Sequence, residues 1–456
     1  AKFFIDERGK SDRDYAQDHM PIREQSQIVG HAVRAMYLYA GVADVVRYTH
    51  DQDLFETMDR IWDDVTLHKM YITGGIGPSA HNEGFTVPYD LPNETAYAET
   101  CAAIGMVFWS HRMFLLHGHV KYIDILEQAL YNGSISGVSL TGDQFFYVNP
   151  LASRGNHHRQ PWYGCACCPT NIVRFIPQVG GYFYATSSDA VWVNLYAANK
   201  AEISLGGRSI EIIQETDYPW SGHVKLVVRP THPTTFKLHL RIPEWCVKAT
   251  AKINQKPIEI SPDDNGYLSL DREWQLGDTI DLEMPMPIDR IISHPKVVAD
   301  HGHTCLRRGP VIYCLEATDN GGSVRDIALP QNTHLEPHFE EDLLSGVTVL
   351  RGKAWRRSPI DWENQLYQTS PLDKEIEIMA VPYHAWDNRE VGPMSVWLPE
   401  STILAEAKLK PTIAIEGEPA ASFVFNQLDA INDNLMPSGS NDQTIPRFTW
   451  WDQRGT

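Results

Sequence analysis

The sequence predicts a multidomain chain in which a layer of antiparallel α-helices precedes all-β modules. Three observations carry that prediction. A chain of 456 residues is too long for one hydrophobic core and divides into two or three domains. Between residues 28 and 178 the apolar residues recur at helical spacing. After Tyr182 the period changes to the alternation of short strands.

The elements follow in order. Residues 1–25 are polar and irregular. From Ile28 to Tyr48 the residues Val33, Met36, Tyr37 and Ala40 mark one helical face. A second helix over about 51–70 carries Leu54, Met58, Ile61, Trp62 and Val65, and the short turn Thr49-His50-Asp51 makes the pair antiparallel. The segment from Tyr71 to Pro92 is non-helical. Its Gly74-Gly75-Ile76-Gly77-Pro78 run lacks the strand before and helix after that a phosphate loop needs. A third helix is expected from about Thr95 to Leu116, a fourth from about Val120 to Tyr131 and a fifth over about 171–178. The loop 140–170 carries Tyr147, His157, His158 and Trp162. Alternating stretches at Val191–Tyr196, Val224–Val228 and Phe236–Leu240, with a turn at Asp263-Asp264-Asn265-Gly266, suggest a β-sandwich. Further strands are expected at Val311–Leu315 and Ile376–Met379, with a loop-rich stretch at 317–345. The expected domains are 1–182, 183–295 and 296–456. Five helices in hairpins leave apolar faces without partners, so the chain reads as the C-terminal part of a longer protein, or as a layer completed by other helices.

Composition narrows the function. With 43% hydrophobic and 21% charged residues the chain is that of a soluble globular protein. A formal net charge of −19 argues against nucleic acid and anionic membranes, both of which need a basic patch. No run approaches the roughly 18 apolar residues of a membrane span, and residues 1–7 lack the layout of a signal peptide. Thirteen Trp, nineteen Tyr and nineteen His supply surfaces that suit sugars.

Three of the seven cysteines fall at 165, 167 and 168. An odd count with a tight cluster is no disulfide framework; it fits a metal or catalytic site in a reducing, cytoplasmic setting. Cysteine thiolates and a carboxylate can close a tetrahedral Zn²⁺ site, and the candidates are Glu99, Cys101, Cys167 and Cys168, with Cys165 in reserve. Residues i and i+2 of an α-helix are about 200° apart. Glu99 and Cys101 therefore share an ion only if the third helix is not yet regular there. Adjacent Cys167 and Cys168 are expected on bent, non-helical backbone, with Pro169 disfavouring the helical region for Cys168. Four protein ligands usually make a closed structural site, so a zinc staple and a catalytic centre both stay open on spacing alone. The Cys165-Ala166-Cys167 spacing lacks the two intervening residues of the usual redox pair. Glu83, in the loop His81–Thr86, is a second acid placed where a general acid can stay protonated; the plain alternative is an exposed glutamate.

The segments Gly30-His31-Ala32-Val33-Arg34-Ala35, Tyr71-Ile72-Thr73-Gly74-Gly75-Ile76-Gly77, Ala98-Glu99-Thr100-Cys101-Ala102 and Gly164-Cys165-Ala166-Cys167-Cys168-Pro169 resemble those of family 127 glycoside hydrolases, whose founding activity is β-L-arabinofuranosidase. The likeness extends to Phe145–Pro150, Arg308–Tyr313 and the tail Ser440–Asp452. It implies an (α/α)₆ barrel, here only its C-terminal half, followed by β-sandwich or jelly-roll domains. It implies Cys167 as nucleophile, Glu83 as acid/base, Zn²⁺ held by Glu99, Cys101, Cys167 and Cys168, and His31 and Tyr147 at the sugar. The implied reaction releases L-arabinose from non-reducing β-L-arabinofuranosides with retention, and the implied partners are plant-derived arabinofuranoside oligosaccharides or glycoconjugates, with a homodimer left open. The alternatives are the same chemistry on another plant sugar, and a non-catalytic, zinc-stabilised carbohydrate-binding protein.

Overall fold

A computed structural model describes residues 1–359, 366–367, 369 and 372–405. Its helical part contains α1 (Lys2–Asp6), α2 (Ala32–Thr49), α3 (Gln52–His68), α4 (Thr100–His117), α5 (Val120–Gln128) and α6 (Cys167–Phe175). The hairpin of α2 and α3 forms as expected. His50 ends α2 in the left-handed region, and Asp51 caps α3 by accepting the Leu54 N–H. Helix α2 starts at Ala32 rather than Ile28, because Gly30 takes φ +73°. The apolar helix α4 is buried on nearly every face, as its lack of a polar stripe requires, and it packs on α2, α5 and α6. Trp62 of α3 meets Trp109 of α4 at 5.1 Å and Tyr122 of α5 at 4.9 Å between ring centroids, both edge-on. Helix α5 stops at Gln128 and continues as a π-helical turn, Ala129–Ser134.

The β part begins after Tyr182. A four-stranded sheet has the order Tyr267–Trp274, Thr234–Arg241, Ala190–Val193, Tyr184–Thr186; only the middle pair is parallel. A six-stranded antiparallel sheet runs Asn199–Leu205, Arg208–Thr216, His223–Pro230, Asp278–Glu283, Thr250–Ile253, Lys256–Ile258. Alternate residues of both sheets, among them Val191, Leu238 and Leu240 of the first and Ile212, Leu226 and Ile280 of the second, join one apolar cluster. A third sheet holds Val311–Glu316 and Lys374–Pro382, both read from the sequence, and the loop-rich stretch supplies Ile327–Ala328 and Leu335–Glu340. Its strand Ile288–Ile291 lies before residue 295 yet pairs with His303–Arg308. The tail likeness at Ser440–Asp452 lies outside the described residues.

Polar contacts bind the parts together. Arg241 of the four-stranded sheet is fully buried and donates to Asp124 (2.9 Å) and Glu127 of α5. Glu127 also accepts from Tyr218 Oη (2.6 Å) and Trp245 Nε1 (3.3 Å). In the π-helical turn, Asn132 donates to Pro310 O (2.9 Å) and accepts the Ile312 N–H (2.8 Å). The loop strand Ala152–Ser153 pairs with Met394–Ser395 of the third sheet. These ties fix the loops that run between the helices, where the cysteine cluster lies. Among the described residues, no helix is long and apolar enough to cross a membrane.

Candidate active site

Two helix N-termini meet at the cluster. Glu99 is the N-cap of α4, with φ −59° and ψ 135°, and Cys101 is the second residue of that helix. The backbone is thus still extended at Glu99, the condition the spacing imposed for both side chains to reach one point. Ala98, at φ +37°, turns the chain into this cap. The segment 146–149 holds it there: Thr100 donates through N to Tyr147 O (3.0 Å) and through Oγ1 to Phe146 O (2.8 Å). Asn149 Nδ2 lies 2.9 Å from both Ala98 O and Thr100 Oγ1.

Cys167 and Cys168 require a correction. They are not on bent, non-helical backbone but are the first two residues of α6, capped by Ala166. Pro169 is tolerated because N–H groups of a first helical turn have no partner inside the helix to lose. Successive side chains there are about 100° apart, so both sulfurs can face an ion at the helix mouth.

The ligand atoms of Glu99, Cys101, Cys167 and Cys168 all lie within 4.8 Å of one another. Glu99 Oε1 is 3.4 Å from Cys168 Sγ and 3.5 Å from Cys167 Sγ, and the two sulfurs are 3.8 Å apart. Glu99, Cys101 and Cys168 are buried and Cys167 is half-exposed at the rim. Burial pushes the Glu99 carboxyl up to about 8. Hydrogen bonds from Cys101 and Cys168, with a further one from Tyr147, hold the Cys167 thiol far below its usual range. The bond to Cys167 raises Cys101, and burial raises Cys168. The positive ends of α4 and α6 favour negative charge at the cluster. Glu99 Oε2 is buried and has no hydrogen-bond partner among the described residues. Three soft sulfurs, one carboxylate and an unspent acceptor fit a zinc ion. Cys165 is exposed, its sulfur 4.0 Å from Tyr147 Oη, and it is not one of the four. Cys246, Cys305 and Cys314 are buried elsewhere, in the β cores.

Glu83 sits on a loop tied to the start of α2. Its own O accepts the Ala32 N–H (3.0 Å), and Phe85 N donates to Gly30 O (2.9 Å). Glu83 takes φ +49°. A Cβ on Gly84 would lie 1.8 Å from Gly30 O, so only glycine allows this approach. His31 Nε2 is 3.0 Å from Glu83 Oε2, and the Tyr97 hydroxyl donates to Oε1 at 3.1 Å. Tyr147 Oη is 3.1 Å from Cys167 Sγ. His31, Glu83 and Glu99 also have ligand atoms within 4.8 Å of one another, so both groups of predicted residues converge on one place.

His157 and His158 serve the scaffold. His157 bonds Val148 O and stacks on Phe146, and His158 bonds Asp387. The Gly74–Gly77 run turns tightly against the end of α5, where a Cβ on Gly74 would meet Ala129 Cα at 2.5 Å. Tyr97 and Asn149 were not singled out from the sequence. Only their placement beside Glu99 and within Phe145–Pro150 hinted at a role.

Three family models match the chain in succession: a β-L-arabinofuranosidase GH127 catalytic domain over residues 1–181, a GH127 middle domain over 190–286 and a glycoside hydrolase family 127 C-terminal domain over 288–399. The crystal structure of a GH127 β-L-arabinofuranosidase from Geobacillus stearothermophilus T6 superimposes with a TM-score of 0.85 at 43% identity, covering 88% of this chain and 68% of that one. The chain belongs to glycoside hydrolase family 127. A second solved GH127 β-arabinofuranosidase gives a TM-score of 0.84 at 43% identity, over 89% of this chain and 66% of its own. The curated non-reducing end β-L-arabinofuranosidase of Bifidobacterium longum subsp. longum is 36% identical over 408 residues, 84% of this chain. This family 127 chain spans 61% of the length of that relative.

Proposed function

We propose that this chain carries the catalytic centre of a retaining glycoside hydrolase that releases L-arabinose from the non-reducing end of β-L-arabinofuranosides. The observation that carries the reading is the convergence of Glu99, Cys101, Cys167 and Cys168 at one point, with Cys167 alone half-exposed among them. In architecture, the helices are the C-terminal portion of an (α/α)₆ barrel up to residue 182. A β-sandwich follows, and then a second β-rich domain of jelly-roll type that takes in Ile288–Ile291.

Glu99, Cys101, Cys167 and Cys168 would hold zinc. When bound, zinc would stabilise the Cys167 sulfur as a thiolate at neutral pH and lower the energy of the charge gathered there. The Cys167 sulfur attacks the anomeric carbon from one face. Glu83 gives its proton to the leaving glycosidic oxygen, so the C–O bond breaks as the C–S bond forms. Glu83, now a carboxylate, takes a proton from water, whose oxygen displaces the sulfur. Two displacements at one carbon retain its configuration. Tyr147, beside the sulfur, and His31, beside the carboxylate, would meet the sugar hydroxyls and orient the ring.

The substrates are plant-derived arabinofuranoside oligosaccharides or glycoconjugates, acted on in the cytoplasm, where seven unpaired cysteines are compatible with a reducing setting. The test is hydrolysis of an aryl β-L-arabinofuranoside by protein carrying one equivalent of zinc. Turnover should fall by at least about a thousandfold in both Cys167→Ser and Glu83→Gln. Absence of turnover in the zinc-loaded parent, or survival of it in either variant, would overturn the assignment.

A further inference from the structure

Glu83 is bonded on both oxygens, and the two bonds are not equivalent. On one side stands His31, the N-cap of α2. Its Nδ1 accepts the Val33 N–H at 3.2 Å. A backbone N–H can only donate, so Nδ1 carries no proton and the ring is neutral. The single imidazole proton is then on Nε2, which faces Glu83 Oε2 at 3.0 Å. That oxygen already gives one lone pair to a fixed donor, which lowers its basicity and favours the proton on Oε1. On the other side, Oε1 meets the Tyr97 hydroxyl at 3.1 Å. A phenol can donate or accept.

We propose that Tyr97 is the positioning residue of the acid/base: with His31 it aims the Glu83 carboxyl and makes Oε1 the oxygen that carries the transferred proton. Tyr97 donates to the carboxylate form and turns to accept from, or make way for, the acid form, while His31 keeps its grip on Oε2 throughout. The backbone of Tyr97 is braced on both sides for this task. Its N–H donates to Pro78 O (3.2 Å) and its O accepts the Asn149 N–H (3.2 Å). Its ring stands edge-on to Tyr147 at 6.1 Å, and the Tyr147 hydroxyl lies 3.1 Å from Cys167 Sγ. One aromatic pair therefore reaches both the acid and the sulfur. This assignment rests on the reading of Glu83 as acid/base.

The test is Tyr97→Phe, which keeps the ring and removes the hydroxyl. Methyl and 4-nitrophenyl β-L-arabinofuranosides are compared through kcat/KM, which reports the first displacement. A methoxide leaving group needs the proton and a nitrophenolate hardly does. The loss on the methyl glycoside should exceed the loss on the nitrophenyl glycoside by about tenfold or more, with zinc content unchanged. Equal losses on both, or none, would overturn the assignment. A crystal structure of Tyr97→Phe gives a readout independent of turnover: Glu83 should keep the His31 contact while Oε1 leaves its present position. A Glu83 side chain that superimposes on the parent would count against Tyr97 as positioner. If the parent cleaves neither glycoside, the hydrolase reading fails, and the crystal structure still decides whether Tyr97 sets the carboxyl.

Discussion

Cys168 Sγ stands 3.4 Å from Glu99 Oε1, although 69 residues separate them in the chain, and both side chains are closed off from solvent. Glu99 Oε2 has no hydrogen-bond partner among the described residues, which leaves that oxygen open to a cation. Elemental analysis of the purified protein should find one zinc per chain. Glu99→Gln keeps the shape and removes the charge, and its zinc affinity should fall by more than about a hundredfold, a loss that removal of a ligand's outer partner alone can approach. Equal affinity in a competition titration would refute the ligand set.

Cys165 offers the matching control. It is exposed and outside the group of four. Cys165→Ser should bind one equivalent of zinc as tightly as the parent, whereas Cys168→Ser should not. A loss of metal in Cys165→Ser would bring the fifth sulfur into the site.

The junction of α5 with the four-stranded sheet depends on Glu127. It faces the fully buried Arg241 and accepts from Tyr218 and Trp245. Glu127→Ala leaves a buried guanidinium with part of its charge uncompensated and should cost about 3–5 kcal/mol. A denaturant titration followed by circular dichroism measures this, and a cost below about 1 kcal/mol would show that the junction relaxes.

Asp300 makes stability depend on pH. It is buried, accepts from Asn93 Nδ2 at 2.8 Å, and burial pushes its carboxyl up to about 6. The folded state therefore binds this proton more tightly than the unfolded chain, whose carboxyl titrates near 3.8. The stability from that proton is present below about pH 4 and is lost as pH rises through 6. Above pH 6 the folded protein holds a buried charge at a cost of about 2–3 kcal/mol. Asp300→Asn should be the more stable protein at pH 7 to 8, with the difference closing between pH 6 and 4 in parallel melts. A difference that does not vary with pH would remove Asp300 as its source.

The sequence disclosed some of this through residue type and period. The change at Tyr182 was legible because helix and strand have different apolar periods, and Glu99 was correctly placed outside regular helix because side chains two apart point opposite ways. Cys167 and Cys168 lie on helix rather than bent backbone because adjacent side chains of a first turn, about 100° apart, can still share the helix mouth, and that turn also accepts Pro169. Helices α2 and α4 begin later than their apolar runs because Gly30 and Ala98 turn the backbone into the left-handed region. The roles of Tyr97, Asn149 and Asn132 were illegible for another reason. Each acts through a bond to a distant segment, and no local pattern records which segments a fold will bring together.

Gly30 and Gly84 have no side chain to offer, yet the backbone bonds between their loops place Glu83 against His31. In a library of single substitutions screened by sugar release, position 84 should rank with 83 and 167 among the least tolerant, although a variant there would keep every side chain of the cluster. Such a ranking would measure geometry inherited from a missing methyl group, and a list of catalytic positions compiled from it would include a residue that never meets the sugar.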